Sequence, residues 1–251
     1  MNLLEITNLT KSFGGLEALS KIDLKVEKNS VVGLIGPNGA GKSTLFNVIT
    51  GVYSPDSGEV RFKGEPLKNI MPHDVVKKGI ARTFQNIRLF SNMTVLENIM
   101  VGRHSRTESE LFEALLRTKG FKSEEKDIEY AAVETADFMG LLKSGNEIAK
   151  NLSYGGQRRL EIARAVATEP LLLLLDEPTA GMNPKECIEL AGLINKIREK
   201  GITIIIIEHQ MDVIMSISDK VVVLDYGKKI SEGAPETVQK DPLVIEAYLG
   251  S

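Results

Sequence analysis

Residues 31–44 read VVGLIGPNGAGKST. An unbroken apolar run meets a glycine-punctuated loop that closes on a lysine and two hydroxyls. Such a run suits a strand covered on both faces, as in a parallel sheet packed between helices. The loop 36–44 matches G-x-x-x-x-G-K-[S/T], and STLFNVITG after it has the pattern of a helix closed by Gly51. Strand, glycine loop and helix in this order form a phosphate cradle. Gly36, Gly39 and Gly41, with Pro37, Asn38 and Ala40 between them, let backbone N–H groups turn inward. The helix N-terminus adds its positive end. Lys42 can reach the β and γ phosphates of a nucleotide, and Ser43, beside Thr44, can place a hydroxyl on Mg2+.

Outward from this stretch, LLLLL (171–175), TIIII (203–207) and VVVLD (221–225) repeat the continuous apolar character. Other segments alternate. In IDLKVE (22–27) Ile22, Leu24 and Val26 oppose Asp23, Lys25 and Glu27, and GEVRFKG repeats the pattern with Val60 and Phe62. Alternation predicts antiparallel strands with one wet face. NPKECIELAGLINKIREKG predicts a helix with Asn183 as N-cap, Pro184 at N1, Glu186 at N3 and Gly201 just past its end. Strands alternating with helices indicate an α/β sheet.

The apolar runs share one more property: each ends on polar residues. VVGLI stops at the glycine loop, GIARTF at Gln85, LLLLL at Asp176 and Glu177, and TIIII at Glu208 and His209. Ligands of open α/β sheets bind in the crevice outside the carboxyl ends of the strands, so parallel neighbours would aim these groups at one crevice. The leucines anchor and the acids act. Neighbours on a strand point oppositely, so Asp176 and Glu177 are expected to differ in role. Asp176 would hold Mg2+ through water, and Glu177, just before Pro178, would polarise an attacking water. His209 would contact the γ-phosphate. Gln85 taken alone is a weak signal.

LSYGGQRRLEIARAVA (152–167) places Ser153, Gly155 and Gly156 ahead of a helix whose apolar face is Leu160, Ile162, Ala163 and Val166. This reads either as a second phosphate grip or as a simple capped helix start. Two grips from one chain on one γ-phosphate would crowd it.

The whole-chain numbers narrow the classes. A net charge of −3 provides no overall basic field to hold nucleic acid. The single cysteine, Cys187, cannot form a disulfide within the chain, which fits a reducing cytosol. MNLLEITNLTKSF lacks the apolar core of a signal peptide, and no apolar run approaches the ~20 residues of a membrane helix. The expected position is therefore on a membrane at most, not through one.

Taken in order and spacing, the loop 36–44, Gln85, LSYGG, LLLLLDE and His209 resemble the ATP-binding-cassette ATPases over essentially the whole chain. More narrowly, RTFQNIRLFSNMTVLENIMVG, DEPTAGMNP and ISEGAPE…VIEAYLG look like the ATP-binding subunit of a branched-chain amino-acid importer. The resemblance implies a P-loop ATPase core with a mostly parallel sheet, an antiparallel β subdomain and a helical signature subdomain. The whole of 1–251 would be one cassette: core and β subdomain from 1–87 and 156–230, helical subdomain 88–155, C-terminal extension 231–251. ATP and Mg2+ are the implied cofactors, with Lys42, Glu177 and His209 catalytic and Ser43, Gln85 and Asp176 serving the metal.

The same likeness implies partners. Two cassettes, identical or paralogous, pack head to tail. Ser153, Gly155 and Gly156 then serve the ATP on the partner's loop, which removes the crowding. Two transmembrane permease subunits, an indirectly linked solute-binding protein, no nucleic acid and a place on the cytoplasmic face of the plasma (inner) membrane complete the expectation. Phe13 would stack on adenine, or else is a core aromatic. Gln85 would link nucleotide state to the membrane partner. Ile87, Leu89, Phe90, Met93, Val95 and Leu96 would line a groove for a coupling helix, or else pack internally. Two positions depart from the usual family pattern: Tyr154 and Gly156 stand in a signature that commonly reads LSGGQ, and Asn183 replaces the usual aspartate. The rival readings are an exporter cassette, for instance for lipids, a cassette ATPase acting on ribosomes or DNA, and a P-loop kinase. The last leaves LSYGG and His209 without a task.

Overall fold

A computed structural model describes residues 1–68, 70–103 and 119–249. Residues 104–118 of the predicted helical subdomain and 250–251 of the predicted C-terminal extension lie outside the described residues. Two compact units emerge: Met1–Arg82 with Leu171–Ser251, and Thr83–Pro170.

The first unit holds two sheets. Strands β1 (Asn2–Phe13), β2 (Leu16–Glu27), β4 (Ser57–Phe62) and β5 (Glu65–Pro66) form an antiparallel sheet in the order β2-β1-β4-β5. The predicted alternation holds on β2, where Ile22, Leu24 and Val26 are buried and Asp23, Lys25 and Glu27 exposed. The second sheet contains β3 (Val31–Ile35), β6 (Ile80–Arg82), β7 (Leu172–Asp176), β8 (Thr203–Ile207), β9 (Lys220–Asp225) and β10 (Lys228–Gly233), in the order β10-β9-β3-β8-β7-β6. Its pairings are parallel except for the β9–β10 hairpin. Every residue of β3, β7 and β8 is buried, as their apolar runs require, with Asp176 and Thr203 buried at their ends. One core joins both sheets through the helix Lys42–Ile49. Leu4, Ile6, Leu24 and Phe62 share it with Phe46, Leu34, Leu174 and Ile207.

Strand order positions the chemistry. β3, β8 and β7 are adjacent, with Leu34 opposite Ile207 and Ile207 opposite Asp176. The segments that leave these three strand ends therefore start side by side. The helix Pro184–Glu199 begins with the predicted capping box: Asn183 Oδ1 accepts from Glu186 N–H and Glu186 Oε2 from Asn183 N–H, each at 3.0 Å.

The second unit contains the helices Val95–Arg103, Lys119–Phe138 and Tyr154–Val166. Its apolar core includes Val95, Ile99, Ile128, Ala132, Leu160 and Ile162. Fully buried Asn98 fixes the loop before the first of these helices. Its Oδ1 accepts from Phe90 N–H at 3.0 Å, and its Nδ2 donates to the carbonyls of Phe90 at 3.0 Å and Thr94 at 2.9 Å.

Candidate active site

The loop between β3 and its helix is shaped by positions that admit only glycine. Gly36 has φ 145°, and a Cβ there would lie 2.0 Å from the carbonyl oxygen of Leu224. Gly41, at φ 105°, is the N-cap of the helix, and a Cβ there would lie 2.5 Å from the carbonyl oxygen of Ala18. Lys42 opens the helix and is 6% exposed; its Nζ folds back to donate to the carbonyls of Gly36 at 2.6 Å and Pro37 at 2.9 Å. Burial holds its pKa below the ordinary lysine value, opposed first by the charge of Glu177 and then by that of Asp176. Lys42 thus lies within the electrostatic reach of both acids. Ser43 is exposed in the first helical turn.

Asp176 closes β7 and is buried. Its Oδ2 accepts from Arg82 Nη2 at 2.9 Å, and the same guanidinium donates through Nη1 to Asn47 Oδ1 at 2.6 Å. Arg82 is a residue the sequence reading missed. Glu177 departs from the expectation that it continues the strand's alternation. Its φ is 48°, in the left-handed region, while its N–H still donates to Ile207 O at 2.9 Å. A reversal in the chain, not strand pleat, sets its direction. Strain of this kind at a non-glycine residue persists where the surroundings impose it. His209 Nε2 lies 3.0 Å from Glu177 Oε1. A carboxylate oxygen accepts, so this bond calls for the tautomer with the proton on Nε2.

Two strand-end residues are not where the sequence reading put them. Glu208 does not face a ligand: it is 2% exposed and its oxygens accept from the N–H groups of Thr179 at 2.7 Å and His209 at 3.0 Å. It fastens the loop after β7 to the loop after β8, so it supports Glu177 and His209 from behind. Gln85 does not end a strand, because β6 stops at Arg82; Gln85 belongs to the second unit. Phe13, at the end of β1, is 42% exposed, so it is no core aromatic; Tyr53 meets it edge-on at 5.0 Å and Lys11 Nζ lies 5.4 Å from its ring centre.

In the second unit Ser153 is the N-cap of the helix Tyr154–Val166, and its side chain accepts from Gly156 N–H at 3.1 Å. Gly155 and Gly156 lie in the first helical turn, not ahead of it, and Tyr154 is 45% exposed. Sequence reasoning also passed over Arg158 and Glu161, which are buried and ion-paired at 2.8 Å. Arg158 donates to the carbonyls of Phe84 and Gln85, both at 2.8 Å, and Glu161 Oε1 accepts from the N–H groups of Phe84 and Arg88, both at 3.3 Å. This pair ties the Gln85 segment to the helix carrying LSYGG. Of the proposed groove residues, Val95 is buried while Phe90 and Met93 are exposed at 46% and 38%.

Known proteins resemble this chain in sequence and fold. The family described as ABC transporter matches residues 19–180, and one described as branched-chain amino acid ATP-binding cassette transporter matches residues 228–251. The chain is 46% identical over 250 residues to the high-affinity branched-chain amino acid transport ATP-binding protein BraF of Pseudomonas aeruginosa, covering 99% of this chain and 98% of that protein. It is 43% identical over 249 residues to LivG of Escherichia coli, named for the same transport, with the same coverage. A solved structure of the ADP conformation of an ATP-binding cassette of an ABC transporter superposes with a TM-score of 0.87 at 36% identity, covering 100% of both chains. A second, a dimeric post-hydrolysis state of a cassette bound to ADP and Pi, gives a TM-score of 0.78 at 25% identity, covering 92% of this chain and 98% of that one. With a family match over residues 19–180 and relatives above 40% identity along nearly its full length, the chain belongs to the ABC transporter family as an ATP-binding cassette.

Proposed function

We propose that the chain is the ATP-hydrolysing subunit of a membrane importer for branched-chain amino acids. The observation that carries the catalytic reading is the meeting of Lys42, Asp176, Glu177 and His209 beyond three adjacent strand ends. The amino-acid class rests on the relatives and on the match over residues 228–251.

The mechanism follows from the resting contacts. Lys42 is held on two carbonyls of its own loop, where it has lost much of its hydration. A phosphate offers charged acceptors in place of neutral ones, so Lys42 exchanges partners on ATP binding. Backbone N–H groups of the loop other than that of Gly36, with the helix N-terminus, would neutralise the remaining phosphate charge. Glu177 accepts a proton from the attacking water, and the left-handed turn at its own residue sets its aim. His209 leaves its bond to Glu177 when the γ-phosphate arrives and donates Nε2–H to that phosphate. Phe13, exposed at the end of β1, is assigned to stacking on adenine.

Ser43 and Asp176 supply hard oxygen donors suited to Mg2+. Among the described residues no group of three or more His, Cys, Asp or Glu is placed to cage a metal. Bound at Ser43 and Asp176, the ion would offset charge on the β and γ phosphates.

The start of the helix Tyr154–Val166, where Ser153 is exposed and Gly155 buried, serves the ATP of a second cassette packed head to tail, with Ser153, Gly155 and Gly156 assigned to that phosphate. Phe90 and Met93 present apolar surface to a helix of a transmembrane permease subunit. The proposed place is the cytoplasmic face of the inner membrane, held by the permeases; no described helix is long and apolar enough to cross a membrane. The test is uptake of radiolabelled leucine, isoleucine and valine in cells lacking this chain. Uptake falls and returns with the wild type but not with Lys42→Ala. Uptake unaffected by the loss would refute the assignment.

A further inference from the structure

The phosphate loop has a contact outside the nucleotide chemistry. The N–H of Gly36 donates to the hydroxyl oxygen of Tyr248 at 2.8 Å. Tyr248 lies in the helix Pro242–Leu249, more than two hundred residues along the chain, and is partly exposed. Burial raises its hydroxyl pKa, opposed by the Gly36 bond, so at neutral pH the group is a neutral acceptor. On its other side Gly36 gives its carbonyl to Lys42 at 2.6 Å. The first residue of the loop is therefore gripped from both ends, by the C-terminal helix and by the lysine that must move when phosphate binds.

The two grips differ in lifetime. When Lys42 turns to a phosphate, the carbonyl of Gly36 loses its ammonium partner and Tyr248 becomes the remaining side-chain hold. Steric contact limits where Gly36 can go on one face, because the carbonyl oxygen of Leu224 closes it. Contact of that kind does not stop the peptide from tipping the other way; a directional hydrogen bond does.

We infer that Tyr248 is a positioning residue for the phosphate loop, fastening its first residue to the C-terminal helix while Lys42 changes partners. The inference rests on the ATPase reading above. Tyr248 touches neither substrate nor reacting atoms, so it sets loop geometry and with it the strength of nucleotide binding. Glu177 and His209 are not attached to Gly36, so the chemical step proceeds once ATP is seated. Loss of binding shared by ground and transition states appears in KM, with kcat retained.

The test uses the full chain with Tyr248→Phe, which keeps the ring and removes only the acceptor. Its KM for ATP should rise about fivefold or more with kcat within twofold. Amide exchange of the segment around Gly36 should accelerate by roughly tenfold without nucleotide. Tyr226→Phe, at a tyrosine 86% exposed, should change neither. A KM within twofold of wild type, unchanged protection at Gly36, or a loss spread across kcat and the exchange of the whole chain overturns the inference. If the wild type itself fails to hydrolyse ATP, the functional reading falls, while the exchange result still reports on the Tyr248–Gly36 bond.

Discussion

Replacing Arg82 with methionine should cost more stability than any single change among the phosphate-binding residues. The guanidinium is 9% exposed and its partner carboxylate at Asp176 is 5% exposed, with the charged atoms 2.9 Å apart. It also bonds Asn47 Oδ1 at 2.6 Å and lies 5.4 Å from the ring centre of Phe46. Methionine keeps the apolar stem and removes the charge, depriving the buried Asp176 carboxylate of the Arg82 guanidinium. Breaking a buried pair from one side costs about 3–5 kcal/mol. At about 2–4 °C per kcal/mol for a chain of this size, the midpoint should drop by roughly 6–20 °C. The assay is thermal unfolding without nucleotide, since ATP would mask part of the loss by mass action. Three further arms isolate the cause. Arg82→Lys should recover part of the loss, because one charge remains but the two-pronged grip on Asp176 and Asn47 does not. Arg82→Met combined with Asp176→Leu should be near wild type in stability, the buried charge being gone. The difference between Arg82→Met and wild type should persist in 1 M salt, which abolishes surface pairs. A drop below about 2 °C in Arg82→Met, or a difference that salt erases, would refute the reasoning.

Three other expectations follow from particular contacts. Gly36→Ala must move the carbonyl of Leu224 or the loop itself, so titration with a fluorescent ATP analogue should show nucleotide binding lost or at least tenfold weaker. Asn183→Ala removes the acceptor of the capping box and should lower stability by about 1 kcal/mol in urea unfolding. Asp56 sits below the ordinary carboxylate range because Lys11 and then Ser12 N–H bond to it. A depressed pKa contributes stability that is complete above the unfolded value near ~3.9 and is lost as pH falls through the folded value. Asp56→Asn should therefore flatten the stability curve on its acid side and leave its slope near neutrality unchanged.

The parts of this fold that depend on local pattern were legible in the sequence. β3 and β8 occupy the apolar runs residue for residue, and the capping box at Asn183 and Glu186 is present as read. The glycine loop, Lys42 and Asp176 sit where a strand–loop–helix order and a strand end place them. What was not legible depends on partners distant in the chain. Arg82 reads as a polar break in GIARTF until β6 pairs with β7 and brings it to Asp176. Arg158 and Glu161 read as ordinary helix charges, yet both are buried, because the segment from Phe84 to Arg88 lies over them. Their only local signal is a charged pair three apart among Leu160 and Ile162. Glu208 reads from its strand-end position as facing the crevice, but Oε1 is taken by Thr179 and Oε2 by His209 N–H. Glu177 shows the limit of strand alternation, since one left-handed residue re-aims a side chain that period two would send elsewhere.

The central claim is that Glu177 performs proton chemistry in a site whose nucleotide grip is built by other residues. Glu177→Gln separates the two, because the amide oxygen can still accept from His209 Nε2 and the fold around it is kept. Single-turnover hydrolysis and nucleotide binding should be measured on the same preparation. The account predicts ATP binding within a few-fold of wild type and hydrolysis slower by ~10²-fold or more. Hydrolysis at the wild-type rate would contradict it, as would a loss of ATP binding equal to the loss of rate.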